Sequence, residues 1–144
     1  MTEKSSFDLM LFLPYLLNQA AEESSINFKQ QYKDRYGMLR TEWRVLFHLG
    51  YFGDKTAREI CDMSKMHKTK VSRAVSALET RRFLTRERQE ADRRSEILRL
   101  TKSGQAAYKD LSSIAESYDQ KISAELTEQE NQVLREVLLK IAKL

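Results

Sequence analysis

A mainly α-helical domain with a small β-hairpin is what this sequence predicts, on three observations. The chain has one proline and four glycines in 144 residues and is 32% charged, a composition that favours helix. Between residues 56 and 81, two short amphipathic helices follow one another across a tight turn, and a capping box opens the first. After Arg82 the apolar period changes: Phe83, Leu84 and Thr85, and then Ile97, Leu98 and Leu100, are strand formers separated by the polar run QEADRRSE, too charged for any core. By length, residues 1–144 form a single domain large enough to bury a real core.

Residues 1 to 6 are polar and expected to fray. From Phe7 to about Tyr32 a long helix is predicted, with Leu11, Leu16, Leu17, Ala20, Ala21 and Phe28 as its apolar stripe; Pro14 either kinks it or marks its start. Gly37 ends that helix. Thr41 caps the next, whose buried residues are Trp43, Leu46, Phe47 and Leu49, before Gly50 or Gly53 breaks it. Asp54 to Thr56 can add a very short third strand beside the hairpin. Thr56 and Glu59 form the capping box that fixes a start at Ala57; Ala57, Ile60 and Cys61 share one face, and the helix ends near Ser64.

His67 caps the following helix. Val71, Ala74, Val75 and Leu78 are its buried stripe, which leaves Lys68, Thr69, Lys70, Ser72, Arg73 and Ser76 facing outward. Beyond the hairpin, Thr101 caps a long helix in which Ala107, Leu111, Ile114, Tyr118 and Ile122 recur at helical spacing. A second capping box, Thr127 with Glu130, opens a last helix with Val133, Leu134, Val137, Leu138 and Ile141 inside. Both chain ends thus supply apolar helix faces remote in sequence from the compact middle, and a two-fold homodimer would bury both.

Helix, turn, helix and hairpin together make a winged helix-turn-helix. Its second helix, 68–81, can enter a major groove while the wing, 89–94, reaches the neighbouring minor groove. Residues 38–101 are then the DNA-reading part, and 1–36 and 102–144 the helical dimerisation part. The charge agrees: between Lys65 and Arg99 there are eleven cations against five anions, a surplus of six, while the whole chain is only +4, so everything else sums to −2. Candidate contacts to base edges and phosphates are Lys68, Thr69, Lys70, Ser72, Arg73, Ser76 and Arg86, with Arg73 the best placed for a bidentate contact to guanine. At the wing, Asp92 is an anion where DNA binding would not want one. Its role is to hold an arginine in fixed geometry, leaving Arg93 or Arg94 to enter the minor groove.

Asp92, Arg94, Leu100 and Thr101, in DRRSEILRLT followed by Gly104, resemble the D-x-R-x5-L-T signature of the multiple-antibiotic-resistance regulator (MarR) family. The order and length of the flanking helices match that family over nearly the whole chain. The resemblance implies pairing of two subunits through the first helix and the last two, and Arg94 as the arginine that Asp92 holds. It also implies a cleft for a small anionic aromatic ligand, for which Tyr15, Tyr36, Trp43, Arg44 and His48 are the candidates by position. Relatives that sense peroxides carry a cysteine near the start of the first helix, where this chain has none; Cys61 reads as a small buried hydrophobe.

Other functions find little support. His48, Cys61 and His67, at spacings of 13 and 6, make a poor metal site, and no cofactor motif is present. A glycine-rich phosphate loop, a nucleophile motif and a convergent pair of acids are all missing, which excludes an enzyme. One cysteine and no apolar run near 18 residues point to a cytoplasmic protein without disulfides, membrane span or secretory signal. The function expected is a ligand-responsive transcriptional repressor that binds a pseudo-palindromic duplex as a homodimer, its two reading helices ~34 Å apart. The alternative is a winged-helix module that docks protein or RNA without specific duplex binding.

Overall fold

The computed structural model describes residues 6–144, with backbone only for residues 92–94. A 3₁₀ turn, Leu9–Leu11, precedes α1, Leu13–Tyr36, so that of the two readings of Pro14 the helix takes the start beside it and not a kink. The reason is local. Pro14 has no N–H to continue a preceding helix, and Phe12 is extended, so the fixed proline φ nucleates the first turn of α1 instead. The helix also runs four residues past its expected end. Gly37, at φ 62°, takes the left-handed cap and donates to the Lys33 carbonyl at 2.7 Å.

Helix α2, Arg40–Phe52, is capped by Leu39 and not by Thr41. The Glu42 carboxylate decides this by accepting the Leu39 N–H at 2.9 Å, a back-reach that a leucine side chain cannot return. Leu46 and Leu49 are buried as predicted, together with Val45 and Glu42, while Trp43 and Phe47 are half-buried. Gly50 does not break the helix; it lies inside it against the Tyr108 ring, and Gly53, at φ 86°, provides the end.

Strand β1, Lys55–Thr56, leads into α3, Ala57–Ser64, through the predicted capping box: Thr56 Oγ1 accepts from the Glu59 N–H and Glu59 Oε1 from the Thr56 N–H, both at 3.1 Å. Helix α4, Lys68–Thr80, follows after three residues, and His67 Nδ1 accepts the Thr69 N–H at 3.2 Å. Val71, Ala74, Val75 and Leu78 are all buried. Val71, Val75 and Leu78 each stabilise the fold by about 1.5–3 kcal/mol through burial alone.

The hairpin is longer and tighter than the charged run suggested. Strand β2 is Leu84–Gln89 and β3 is Asp92–Leu100, so QEADRRSE lies mostly in strands and only Glu90 and Ala91 turn the chain. Charge did not prevent strand formation because the outer part of the hairpin projects beyond the core; among its described residues only Leu84, Leu98 and Leu100, at the root, are buried. The sheet order is β1-β3-β2, antiparallel throughout, with Lys55 opposite Leu98 and the register interrupted between Arg88 and Gln89.

Helix α5, Lys102–Ser123, begins at Thr101, whose hydroxyl accepts the Gly104 N–H at 3.1 Å. Helix α6, Glu128–Ala142, begins at the second capping box, Thr127 with Glu130. The core joins Phe28 and Tyr32 of α1 to α2, α3, α4, the hairpin root and Ala107 and Leu111 of α5. Helix α6 contributes nothing to it: Val133, Leu134, Val137, Leu138 and Ile141 are exposed by 39–49%, so the face expected inside is left about half open within the subunit.

The two boxes carry a pH signature. Hydrogen bonds from the backbone and hydroxyl of Thr56 and Thr127 hold Glu59 and Glu130 below the ordinary glutamate pKa. A depressed folded-state value means stability that is present above the ordinary range and lost as pH falls through the folded value. Between pH 7 and pH 3.5, the melting temperature of the wild type should therefore fall further than that of a Glu59→Gln, Glu130→Gln double variant; equal slopes would remove the boxes as its cause.

Candidate nucleic-acid interface

The outward face of α4 is built by its inward one. Burial of the Val71, Ala74, Val75 and Leu78 stripe fixes the rotation of the helix, so Lys68, Thr69, Lys70, Ser72, Arg73 and Ser76 are all exposed. Lys68, Lys70 and Arg73 make no ion pair or side-chain hydrogen bond among the described residues. They are cations at the first two turns of a helix, where the macrodipole disfavours positive charge and no acid sits in the first turn to offset it. An external anion at that face would relieve the unfavourable placement.

The surplus counted along the sequence divides into two populations in space. Arg86 Nε lies 3.2 Å from Glu79 and its Nη1 3.5 Å from Glu96, and Nη2 donates to Ser76 Oγ at 3.0 Å. Arg99 bonds Asp54 at 2.8 Å and lies 3.4 Å from Glu87, tying β1, β3 and β2 together; Arg88 approaches Glu96 at 3.9 Å. Arg86 and Ser76, both candidate contacts, are thus committed to a clamp between the end of α4 and the hairpin. Glu79, Glu87 and Glu96 within the basic segment neutralise scaffold arginines, and Lys68, Lys70, Arg73 and Arg82 are left unpaired among the described residues. Arg93, Arg94 and Asp92 lie on β3 beside the two-residue turn, and their side chains fall outside the described residues.

Sequence reasoning passed over Arg58. It is exposed on the first turn of α3, without an ion pair among the described residues, and it lines a cavity of about 500 Å³ at the wing root with Thr56, Arg86, Ser95 and Glu96. The signal was available: an arginine in a first helical turn works against the helix dipole.

The five cleft candidates are not brought together. Trp43 stands in an aromatic ladder joining α1, α2 and α5: Phe28 and Trp43 lie edge to face at 5.2 Å, Trp43 and Phe47 at 4.8 Å, and Phe28 stacks on Tyr118 at 5.6 Å. This ladder walls a cavity of about 380 Å³ that Ser24, Ser25 and Ile122 also line. The Trp43 indole nitrogen is buried with no acceptor in hydrogen-bond geometry; it favours ionisation of the Tyr32 hydroxyl, which burial discourages more strongly, without meeting the distance and angle of a bond. His48 lines a separate cavity of about 510 Å³ between α2 and α5, with Phe47, Tyr51, Phe52, Tyr108 and Glu116. Its Nδ1 is 2.7 Å from the Arg44 carbonyl, as in an ordinary helix residue.

Arg44, Tyr36 and Tyr15 line neither cavity. Arg44 Nη2 donates to the Ser64 carbonyl at 2.8 Å, capping α3 from α2, and burial, then Arg40, lowers its pKa. Tyr36 donates to Asp110 at 2.7 Å; burial first, and then that bond and the carboxylate charge, push its pKa up to about 12. Tyr15 is half-buried near the start of α1. Cys61 is half-buried against the core, as a small hydrophobe would be. Among the described residues no group of three His, Cys, Asp or Glu side chains is placed to hold a metal ion, and no helix is long and apolar enough to cross a membrane.

Residues 36–95 match the model of the MarR family. Over 126 residues the chain is 23% identical to the HTH-type transcriptional regulator YwaE of Bacillus subtilis, covering 88% of this chain and 74% of that protein. In structure it is similar to a MarR/EmrR family transcriptional regulator from Acinetobacter sp. ADP1, at 25% identity, with 95% of this chain and 96% of that one covered and a TM-score of 0.83. It is similar also to BpsR of Bordetella bronchiseptica, whose DNA binding is regulated by 6-hydroxynicotinic acid, at 21% identity, 97% and 99% coverage and a TM-score of 0.84. The chain thus matches the MarR family over residues 36–95 and has, over nearly its whole length, the winged helix-turn-helix fold of a MarR/EmrR family transcriptional regulator.

Proposed function

We propose that the protein is a transcriptional repressor that binds a pseudo-palindromic operator as a homodimer, with helix 68–81 in the major groove and wing 89–94 in the minor groove. The observation that carries this reading is the separation of cations: Arg86, Arg88 and Arg99 on the hairpin are paired with carboxylates, while Lys68, Lys70 and Arg73 on one exposed face of α4 are not paired among the described residues. Lys68, Thr69 and Ser72 then position the helix on phosphates, Arg73 reads a guanine edge, and Arg58 adds a phosphate contact beside the wing root. Arg93 and Arg94 supply the minor-groove cation, with Asp92 orienting one of them. Ser76 and Arg86 act indirectly, by holding the hairpin against α4. The half-open apolar face of α6 supports the homodimer.

The regulated DNA binding of BpsR supports a small aromatic ligand for this chain too. The cavity beside Trp43 suits it, with aromatic walls and a buried indole N–H available to an acceptor. Such a ligand can shift DNA affinity only by its differential affinity for the two dimer shapes.

The test is binding to the duplex upstream of the protein's own gene, followed by fluorescence anisotropy across salt concentrations. A steep fall in affinity with salt is expected. Arg73→Ala should cost about 1–3 kcal/mol and relax base preference at one position, whereas Lys70→Ala should weaken all sequences alike and reduce the salt slope by about one per subunit. Salt-insensitive binding, or no preference for any duplex, would favour a protein-docking or RNA-docking module instead.

A further inference from the structure

Helix α4 is bracketed by two cations that the sequence assigns to the DNA-facing surplus and the structure assigns elsewhere. Before it, Lys65 closes α3, and its Nζ donates at 2.6 Å to the carbonyl of Ala142, the last residue of α6. After it, Arg81 is the C-cap of α4, and its guanidinium donates to the carbonyls of Tyr36 and Gly37 at the end of α1, the latter at 2.8 Å. Arg81 Nε also lies 3.6 Å from the buried carboxylate of Glu42, which caps α2. Each end of the reading helix is therefore fastened to the C-terminus of one of the two outer helices, where unpaired carbonyls and the negative end of the dipole favour a cation. Lys65 further sits at φ 60°, a left-handed conformation that costs a non-glycine residue about 1–2 kcal/mol. Its ammonium on α6 offsets a strain that glycine would avoid.

We infer that Lys65 and Arg81 are positioning residues, which set the separation and tilt of the two reading helices by fixing α4 to α6 and α1, and which do not themselves contact DNA. The inference rests on the operator-binding homodimer proposed above and adds the means by which the outer helices hold the reading helix. It also explains why cations are present where neither faces the groove-reading side chains of α4. A movement of α1 or α6 reaches α4 through these two fastenings.

Lys65 carries the test because it is exposed, whereas loss of Arg81 strands a buried glutamate. Lys65→Gly removes the ammonium and the strain together, so folding is not at risk. Binding is measured for the full chain on a palindromic duplex, on palindromes with one base pair added or removed at the centre, and on an isolated half-site. The expected result is half-site affinity and salt slope within about twofold of wild type, with affinity for the correctly spaced palindrome down about fivefold or more. The spacing preference should flatten, and Lys65→Arg should restore it. A parallel loss on half-site and palindrome with a shallower salt slope would make Lys65 a phosphate contact and overturn the inference, as would no change on any duplex. A wild type that ignores every palindrome would refute the operator reading itself, before any variant is made.

Discussion

In the homodimer proposed above, Val137→Asp should separate the two subunits into monomers. Val137 lies mid-way along α6 among Val133, Leu134, Leu138 and Ile141, all 39–49% exposed in the subunit and none in its core. Replacing it takes nothing from the core of the subunit. In a dimer the same change places a carboxylate from each chain in an apolar seam, where an unpaired charge is too costly to retain. Light scattering should show the mass fall to the 16.9 kDa of one chain. Affinity for a palindromic duplex should drop by about 10²–10⁴ as the second contact ceases to be intramolecular, while half-site binding persists. Gln132→Asp, on the same helix but off the stripe, should leave both unchanged. An unchanged mass for Val137→Asp would mean that this face covers something other than a second copy.

Gly104→Ala should be the most destabilising single change at any of the four glycines, although alanine normally favours a helix over glycine by about 1 kcal/mol. A Cβ there would stand 2.0 Å from the Phe83 carbonyl oxygen and 2.9 Å from its carbon. Those are backbone atoms, pinned in turn by the Thr101 N–H on the same carbonyl at 3.0 Å and by the Thr101 hydroxyl on Arg82 at 2.6 Å. No rotamer change relieves the overlap, so the hairpin root must part from α5, at about 3 kcal/mol or more, or roughly 10 °C in melting temperature. Gly50→Ala meets the Tyr108 ring at 2.3 Å, a side chain that can tilt, and should cost less. Gly53→Ala meets nothing within 4 Å and bears only the backbone strain of φ 86° and ψ −165°, about 1–3 kcal/mol. Calorimetry on the three variants tests the order; a Gly104→Ala protein as stable as the wild type would refute the contact.

Much of the scaffold was legible because its signals are local. Thr56 with Glu59, Thr127 with Glu130, Thr101, His67 and Gly37 each satisfy or terminate a helix end within four residues, so the residue and its task lie in one stretch of chain. Leu39 escaped notice because it caps without a polar side chain, relying on Glu42, and Gly50 because its need for space arises from Tyr108, more than fifty residues away. The charged strands of the hairpin were missed for the opposite reason: pairing across a two-residue turn overrode a composition that by itself reads as loop.

The candidate site divides in the same way. Periodicity alone determined which side chains α4 turns outward, since a buried stripe at helical spacing leaves one orientation. Partnership of the cations was decided only in three dimensions. Arg86 meets Glu79 and Glu96, Arg99 meets Asp54, Arg81 meets Glu42, and Lys65 meets Ala142, at separations of up to 77 residues. Net charge along a sequence cannot tell a cation that is spent from one that is free, because Coulomb attraction at 3 Å depends on where the folded chain brings the partner and not on how far along it lies.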